Sequence, residues 1–180
     1  LIKNIRTNIL KLTFDAKSSH IGSSLSVVEI LYALYFNILK KNDRFILSKG
    51  HAALALYCTL FEKGFISLKT LRSYGKDNTV LMGHASHKVN GVEFSTGSLG
   101  HGLPIAVGKS LKFKINNEKN KVFVILSDGE LNEGTTWESI MFASHHKLNN
   151  LNIIIDNNKI QSMDFTKKVI NLNPLKKKFL

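Results

Sequence analysis

A continuous apolar run, Val122–Leu126, and a second strand-like stretch, Leu151–Ile155, apolar but for Asn152, bracket a helix-like stretch, and this arrangement constrains the fold of the 180-residue chain more than any other feature. Neither run alternates apolar with polar residues, as a strand with one wet face would. Continuous apolar strands belong to sheets covered on both faces, which are mostly parallel. Parallel neighbours need a crossover, and the helical pattern from Glu138 to His146 supplies one of ordinary length. The expected fold class is therefore open α/β: a mostly parallel sheet with helices on both faces. In such folds ligands bind beyond the carboxyl ends of the strands.

The remaining chain reads consistently with this. Residues 2–17 form an amphipathic pattern through Ile2, Ile5, Ile9 and Leu12. A Ser/Gly-rich turn covers Ser18 to Ser24. Ser26, with Glu29 three residues on, is expected to cap a helix through Ile30, Leu31, Leu34 and Ile38. Phe45 to Leu47 reads as a short strand, and Gly50 to Lys63, mostly Ala and Leu, as a buried helix ending near Gly64. Ser67 caps a further short helix. The segment 76–97 is loop-rich. Ser98 to Phe113 is helical in pattern but contains Gly100, Gly102 and Gly108, which implies close approach of neighbouring groups.

The composition is 43% hydrophobic with only two Pro, which favours a packed domain over disorder. The single cysteine, Cys58, cannot form an internal disulfide, and a reducing cytoplasm is the expected compartment. No signal peptide and no apolar run long enough for a bilayer is expected. The net charge is +12. The Lys residues are spread along the chain, apart from Lys167-Lys168 and Lys176 to Lys178, and no nucleic-acid or membrane partner is expected. Attraction of phosphorylated small molecules uses a basic field equally well.

In "ILSDGELNEGTTWESIMFASHHKLNNLNIIIDNNKIQ", residues 125–161, each apolar strand ends in a polar group. Asp128 follows the first, and Asn158 the second. A carboxylate and an amide oxygen at the ends of parallel strands suit a hard divalent cation such as Mg²⁺, whose shell is completed by water and phosphate oxygens. Gly129 allows a phosphate to approach the backbone at the start of a helix. Local sequence is equally compatible with an ordinary Asp-Gly turn and a polar loop.

The same segment resembles the thiamine diphosphate motif of transketolases, in which Gly-Asp-Gly is followed about thirty residues later by Asn. "SSHIGSSLSVVEILYALYF" (18–36), "DRFILSKGHAALALY" (43–57), "LMGHASHKVNGVEFSTGSLGHGLPIAVG" (81–108) and "DGELNEGTTWESIMFASHHKLNNL" (128–151) resemble transketolase segments in the family's order. The likeness is to the N-terminal subunit of two-chain transketolases. It implies that residues 1–180 are a thiamine diphosphate-binding domain, shortened at its C-terminus.

The resemblance implies roles by position. Asp128 and Asn158 would ligate Mg²⁺ with the backbone carbonyl of Ile160. Gly129 would meet the diphosphate of the cofactor through its N–H, and His51 would reach the diphosphate and substrate side. Gly97 and Leu99 would lie along the cofactor. Glu133 matches a glutamate of the subunit interface that links two cofactor sites. His20 and His84 match histidines that contact a donor ketose and assist proton transfer, work suited to a group titrating near neutrality. His101 stands where many relatives have Gln and is expected near the cofactor at most. His87, His145 and His146 carry no role, and Trp137 and Phe142 read as core or interface.

Ser127 replaces the first Gly of the family motif, and Ile21 replaces a frequent Pro. The implied activity is transfer of a two-carbon ketol unit from a ketose phosphate to an aldose phosphate. The implied assembly is with a C-terminal subunit that carries the pyrimidine-binding half, as a dimer or heterotetramer. The alternatives are another thiamine diphosphate enzyme component and a non-catalytic, partner-binding fragment. The particular sugar, and the choice between pentose phosphate metabolism and surface-sugar synthesis, are not written in the sequence.

Overall fold

The computed structural model describes residues 1–179. Its centre is a three-stranded parallel sheet in the order β1 (Arg44–Leu47), β2 (Val122–Ser127), β3 (Leu151–Asp156). Registers run Leu47 beside Ile125 and Ser127 beside Asp156. Alternate side chains of each strand enter different cores. Phe45, Leu47, Phe123 and Ile125 face a first cluster, built with α1 (Ile2–Asp15), α3 (Val28–Ala33) and α4 (Ala53–Glu62). Ile46, Val122, Val124 and Leu126 face a second, built with α6 (Gly102–Ile115) and α7 (Gly134–His145). Helices therefore cover both faces, as the unbroken apolar pattern of β2 requires. Every residue of β2 is buried. Each fully buried Leu, Ile or Val stabilises the sheet sandwich by about 1.5–3 kcal/mol.

β3 departs from expectation. Its first five residues are only half-buried, because no strand pairs with its outer edge among the described residues. The helix pattern from Ser98 begins late, at Gly102. Gly100 adopts φ +80, a left-handed conformation outside the helix, and thereby frees the turn that precedes α6. The 50–63 helix opens with one 3₁₀ turn, Gly50–Ala52, before α4. Ser67 caps α5 (Leu68–Leu71) as expected, its hydroxyl accepting the Thr70 N–H at 3.0 Å.

Two other readings are corrected. Ser26 does not cap the start of the helix through Ile30, whose first flanking residue is Val27. Ser26 closes the short α2 (Ile21–Leu25), and its hydroxyl donates to Asp156, 2.6 Å away and far along the chain. A tertiary partner has displaced the local one. The second concerns the bilayer. Residues Ile21–Ile38 are, by length and composition alone, long and apolar enough to cross a membrane. Here they form α2, α3 and a π-helical turn, Leu34–Ile38, and Val27, Val28, Leu31 and Leu34 point into the first core. A core-forming segment passes the same test of length and hydropathy.

Candidate active site

β1, β2 and β3 all end on the same side of the sheet, and a cleft of about 600 Å³ opens there. Its volume lies within the usual range for small-molecule sites. His20, His51, Leu99, Asp128, Gly129, Asn158 and Ile160 all line it. The sequence motifs are thus joined in space. A second cleft of about 460 Å³, floored by Lys159, Phe165 and Thr166, shares Asp128, Asn158 and Ile160 with the first.

Three histidines meet at one wall. The ring of His20 lies 5.5 Å from that of His51 and 5.6 Å from that of His84. His20 heads α2 with φ 68, a conformation rare for a residue with a Cβ, and this turns its ring toward the other two. The His84 carbonyl accepts the Tyr57 hydroxyl at 2.9 Å, which ties that loop to α4. A Cβ on Gly97 would touch the His84 ring at 3.4 Å, so the residue sits against the histidine cluster. Burial, then the Lys49 charge and the two neighbouring histidines, push His51 down to about 4. Burial and His84 also lower His20. Both rings are neutral at neutral pH, so each can donate at one nitrogen and accept at the other.

Asp128 is 1% exposed, and its carboxylate organises the strand ends. Oδ1 accepts the Gly129 N–H at 2.8 Å; Oδ2 accepts the Lys159 N–H at 2.7 Å and the Thr166 hydroxyl at 3.0 Å. One acceptor position on Oδ1 is left over. The Asn158 amide oxygen accepts the Ile160 N–H at 2.9 Å, and its Nδ2 donates to Asp156 at 3.3 Å. The donor set is one carboxylate, one amide oxygen and one backbone carbonyl beside an open cleft. It fits a hard, oxygen-seeking cation that keeps part of its water. No group of three His, Cys, Asp or Glu among the described residues could hold a metal, and this set has only one such member. Gln161 also lines the cleft, and its Nε2, a donor buried without a partner, suits an anionic oxygen rather than a cation.

Glu133 and His101 stand apart. Glu133 is exposed at the head of α7, its side chain against Gly100, and does not line the cleft. The His101 ring contacts the Leu99 carbonyl at 3.0 Å but also lies outside the cleft. Trp137 donates to the Leu131 carbonyl at 2.8 Å within the second core, while Phe142 is 43% exposed.

Beneath the cleft lies a polar layer that the sequence did not announce. Lys49, 0% exposed, donates to Asp156 Oδ2 at 2.6 Å. Ser26 and Asn158 share the same oxygen. Burial holds the Lys49 ammonium below its ordinary value, and the Asp156 carboxylate offsets only part of this. Glu130, also 0% exposed, accepts from the Ser48 hydroxyl, from Gly100 N at 2.9 Å and from Ser127 N at 3.3 Å. Burial raises its carboxyl above the usual range against the pull of these donors. The available signal was position: Lys49 adjoins the Gly50-His51 turn, and Asp156 closes an apolar strand.

The chain matches the family described as transketolase, thiamine diphosphate binding domain, over residues 1–180. It is 43% identical to one of the subunits of the apulose-4-phosphate transketolase of Actinobacillus succinogenes, over 98% of this chain and 68% of that one. It is 38% identical to human transketolase, over 89% of this chain and 27% of that one. Among solved structures, transketolase from Campylobacter jejuni superposes with a TM-score of 0.91 at 29% identity, over 99% of this chain and 30% of that one. The chain thus spans about two thirds of the subunit-sized relative and under a third of the single-chain enzymes. With the match running the full length and the fold shared, the chain belongs to the transketolase family, as its thiamine diphosphate-binding domain.

Proposed function

We propose that this chain is the cofactor-holding part of a two-chain transketolase that moves a ketol unit between sugar phosphates. The observation that carries the reading is the convergence of Asp128, Asn158, Ile160, His20 and His51 on one cleft at the strand ends. Thiamine diphosphate, when bound, supplies the electron sink for breaking and forming the carbon–carbon bond. Mg²⁺ would be held by Asp128, Asn158 and the Ile160 carbonyl. The Gly129 N–H, at the mouth of the cleft, would be a donor for the diphosphate.

The histidines provide the proton chemistry. His51 and His20 are uncharged at neutral pH, so they can accept a proton from a sugar hydroxyl and pass it on without first losing one. His84 closes the same wall. Glu133, exposed beside the cleft-forming loop, is available to a neighbouring protomer.

Relatives named as single subunits of transketolases support a partner chain, here the C-terminal, pyrimidine-binding one, in a dimer or heterotetramer. The substrates are read as anionic sugars. Relatives are named for apulose 4-phosphate and 6-deoxy-6-sulfo-D-fructose, and the chain carries a net charge of +12. A cytoplasmic site of action fits the buried, unpaired Cys58.

Calorimetry of thiamine diphosphate with the chain, with and without Mg²⁺, tests this, beside Asp128→Ala. Binding that needs Mg²⁺ and disappears in the variant supports the assignment. Metal-independent binding retained in the variant moves the cofactor elsewhere, and no binding with the partner chain present overturns the reading.

A further inference from the structure

The amino end of the sheet, opposite the histidine cluster, carries a separate cleft of about 480 Å³. It lies where the π-helical turn, the start of β1 and the end of α4 meet. Its floor is aromatic: Tyr35 packs edge-on against Phe45 at 5.5 Å and against Phe65 at 6.5 Å. Its rim is basic, with Lys40, Lys41, Lys63 and Arg44 against two carboxylates, Asp43 and Glu93.

Those carboxylates are already engaged. Asp43 accepts the Lys40 and Lys121 backbone N–H groups at 3.0 and 2.9 Å. Glu93 pairs with Lys109 at 2.6 Å and with Arg44 at 3.7 Å. The ammonium groups of Lys40, Lys41 and Lys63 make no ion pair among the described residues; Lys63 lies over the Phe36 ring, 4.9 Å from its centre. Asp43 keeps its charge, but the three lysines outweigh it, and the cleft carries a net positive charge above an apolar floor.

Tyr35 supplies an independent sign. It is 7% exposed, and its hydroxyl makes no hydrogen bond among the described residues. Its oxygen is reachable from the cleft that Tyr35 lines. Burial, and then the Glu93 charge, keep the phenol protonated and hence a donor. With the cleft open the hydroxyl is hydrated, and a ligand acceptor can take the place of that water. The reaction site uses none of these residues.

We infer that this cleft binds a small organic anion with a flat ring, of the nucleoside monophosphate class. Its ring lies on the Tyr35, Phe45 and Phe65 floor, its phosphate meets Lys40, Lys41 and Lys63, and one of its acceptors takes the Tyr35 hydroxyl. The basic rim favours an anion, and the half-exposed Phe65 with the edges of Tyr35 and Phe45 offers apolar contact that a bare inorganic ion cannot use.

The test is an NMR titration of the full ¹⁵N-labelled chain, saturated with thiamine diphosphate and Mg²⁺, using AMP, adenosine and inorganic phosphate as separate probes. The expected result is saturable shifts at Gly91, Phe65 and Arg44 with AMP, and binding about tenfold weaker for adenosine and for phosphate. Tyr35→Phe is expected to weaken AMP by about two- to tenfold with an unchanged melting temperature. The Lys40→Ala/Lys41→Ala double variant is expected to lose affinity and to flatten its salt dependence. The inference is overturned if AMP shifts only residues around His51 and Asp128. It is equally overturned if AMP, adenosine and phosphate bind alike, or if both variants bind AMP as the native chain does.

Discussion

The Lys49 ammonium lies 2.6 Å from Asp156 Oδ2, both groups shut away from solvent under the strand ends. Asp156 in turn holds Ser26 and the Asn158 amide, so one ion pair orients a proposed metal ligand. Removing one partner strands the other charge. Lys49→Ala is expected to destabilise the chain by about 3–5 kcal/mol, read from urea unfolding. The double change Lys49→Met/Asp156→Leu should recover most of that loss. Equal instability of the two variants would show that the pair is not what the site rests on.

Two glycines of α6 should respond in opposite directions. A Cβ on Gly102 would sit 2.7 Å from the Ser48 Cα, where only backbone could give way, and would press on the Ser48–Glu130 bond. Gly102→Ala is expected to cost about 1–3 kcal/mol. Gly108 has nothing within 4 Å of such an atom. Gly108→Ala should therefore stabilise the helix by about 1 kcal/mol. Thermal unfolding of the two variants side by side decides whether the packing of β1 on α6 is as described.

His51 sets a pH dependence. Its folded value, about 4, lies below the ordinary 6.5. Between those values the unfolded chain binds a proton that the folded chain refuses. The stability this contributes is complete above 6.5, falls as pH drops toward 4, and falls no further below it. Melting temperatures across that range should decline for the native chain. The decline should be shallower for His51→Gln. A parallel decline in the two proteins would remove His51 as its source.

Cys58 is fully buried on α4, and burial raises its thiol well above the normal value. The thiolate needed for reaction is thus both scarce and unreachable. An aromatic disulfide reagent should leave the folded chain unmodified and label it once urea unfolds it. Rapid labelling in native buffer would mean that α4 opens readily.

The parts of the fold visible in sequence were those with one dominant local cause. β2 announced itself because all its side chains are buried, and α1 because Ile5, Ile9 and Leu12 repeat at helical spacing. The position of Asp128 and Asn158 at a cleft was legible because clefts in parallel sheets open at the carboxyl ends of strands. What stayed hidden depended on distant partners. Ser26 looked like a cap because its true partner, Asp156, lies elsewhere in sequence. Lys49 carries no local sign of burial in so basic a chain, and only the fold encloses it. β3 read as fully buried, since its side chains say nothing about how many strands follow.

The alternation of strand side chains between two cores has a consequence for synthesis. Phe123 and Ile125 belong to the same core as α1, α3 and α4, yet they are made long after those helices. β1, complete at Leu47, must wait for Val122 before it has a neighbour. The amino-terminal half thus leaves the ribosome with an apolar face still open, for several seconds at ordinary elongation rates of roughly 5–20 residues per second. Until β2 arrives, that face is the natural target for chaperones.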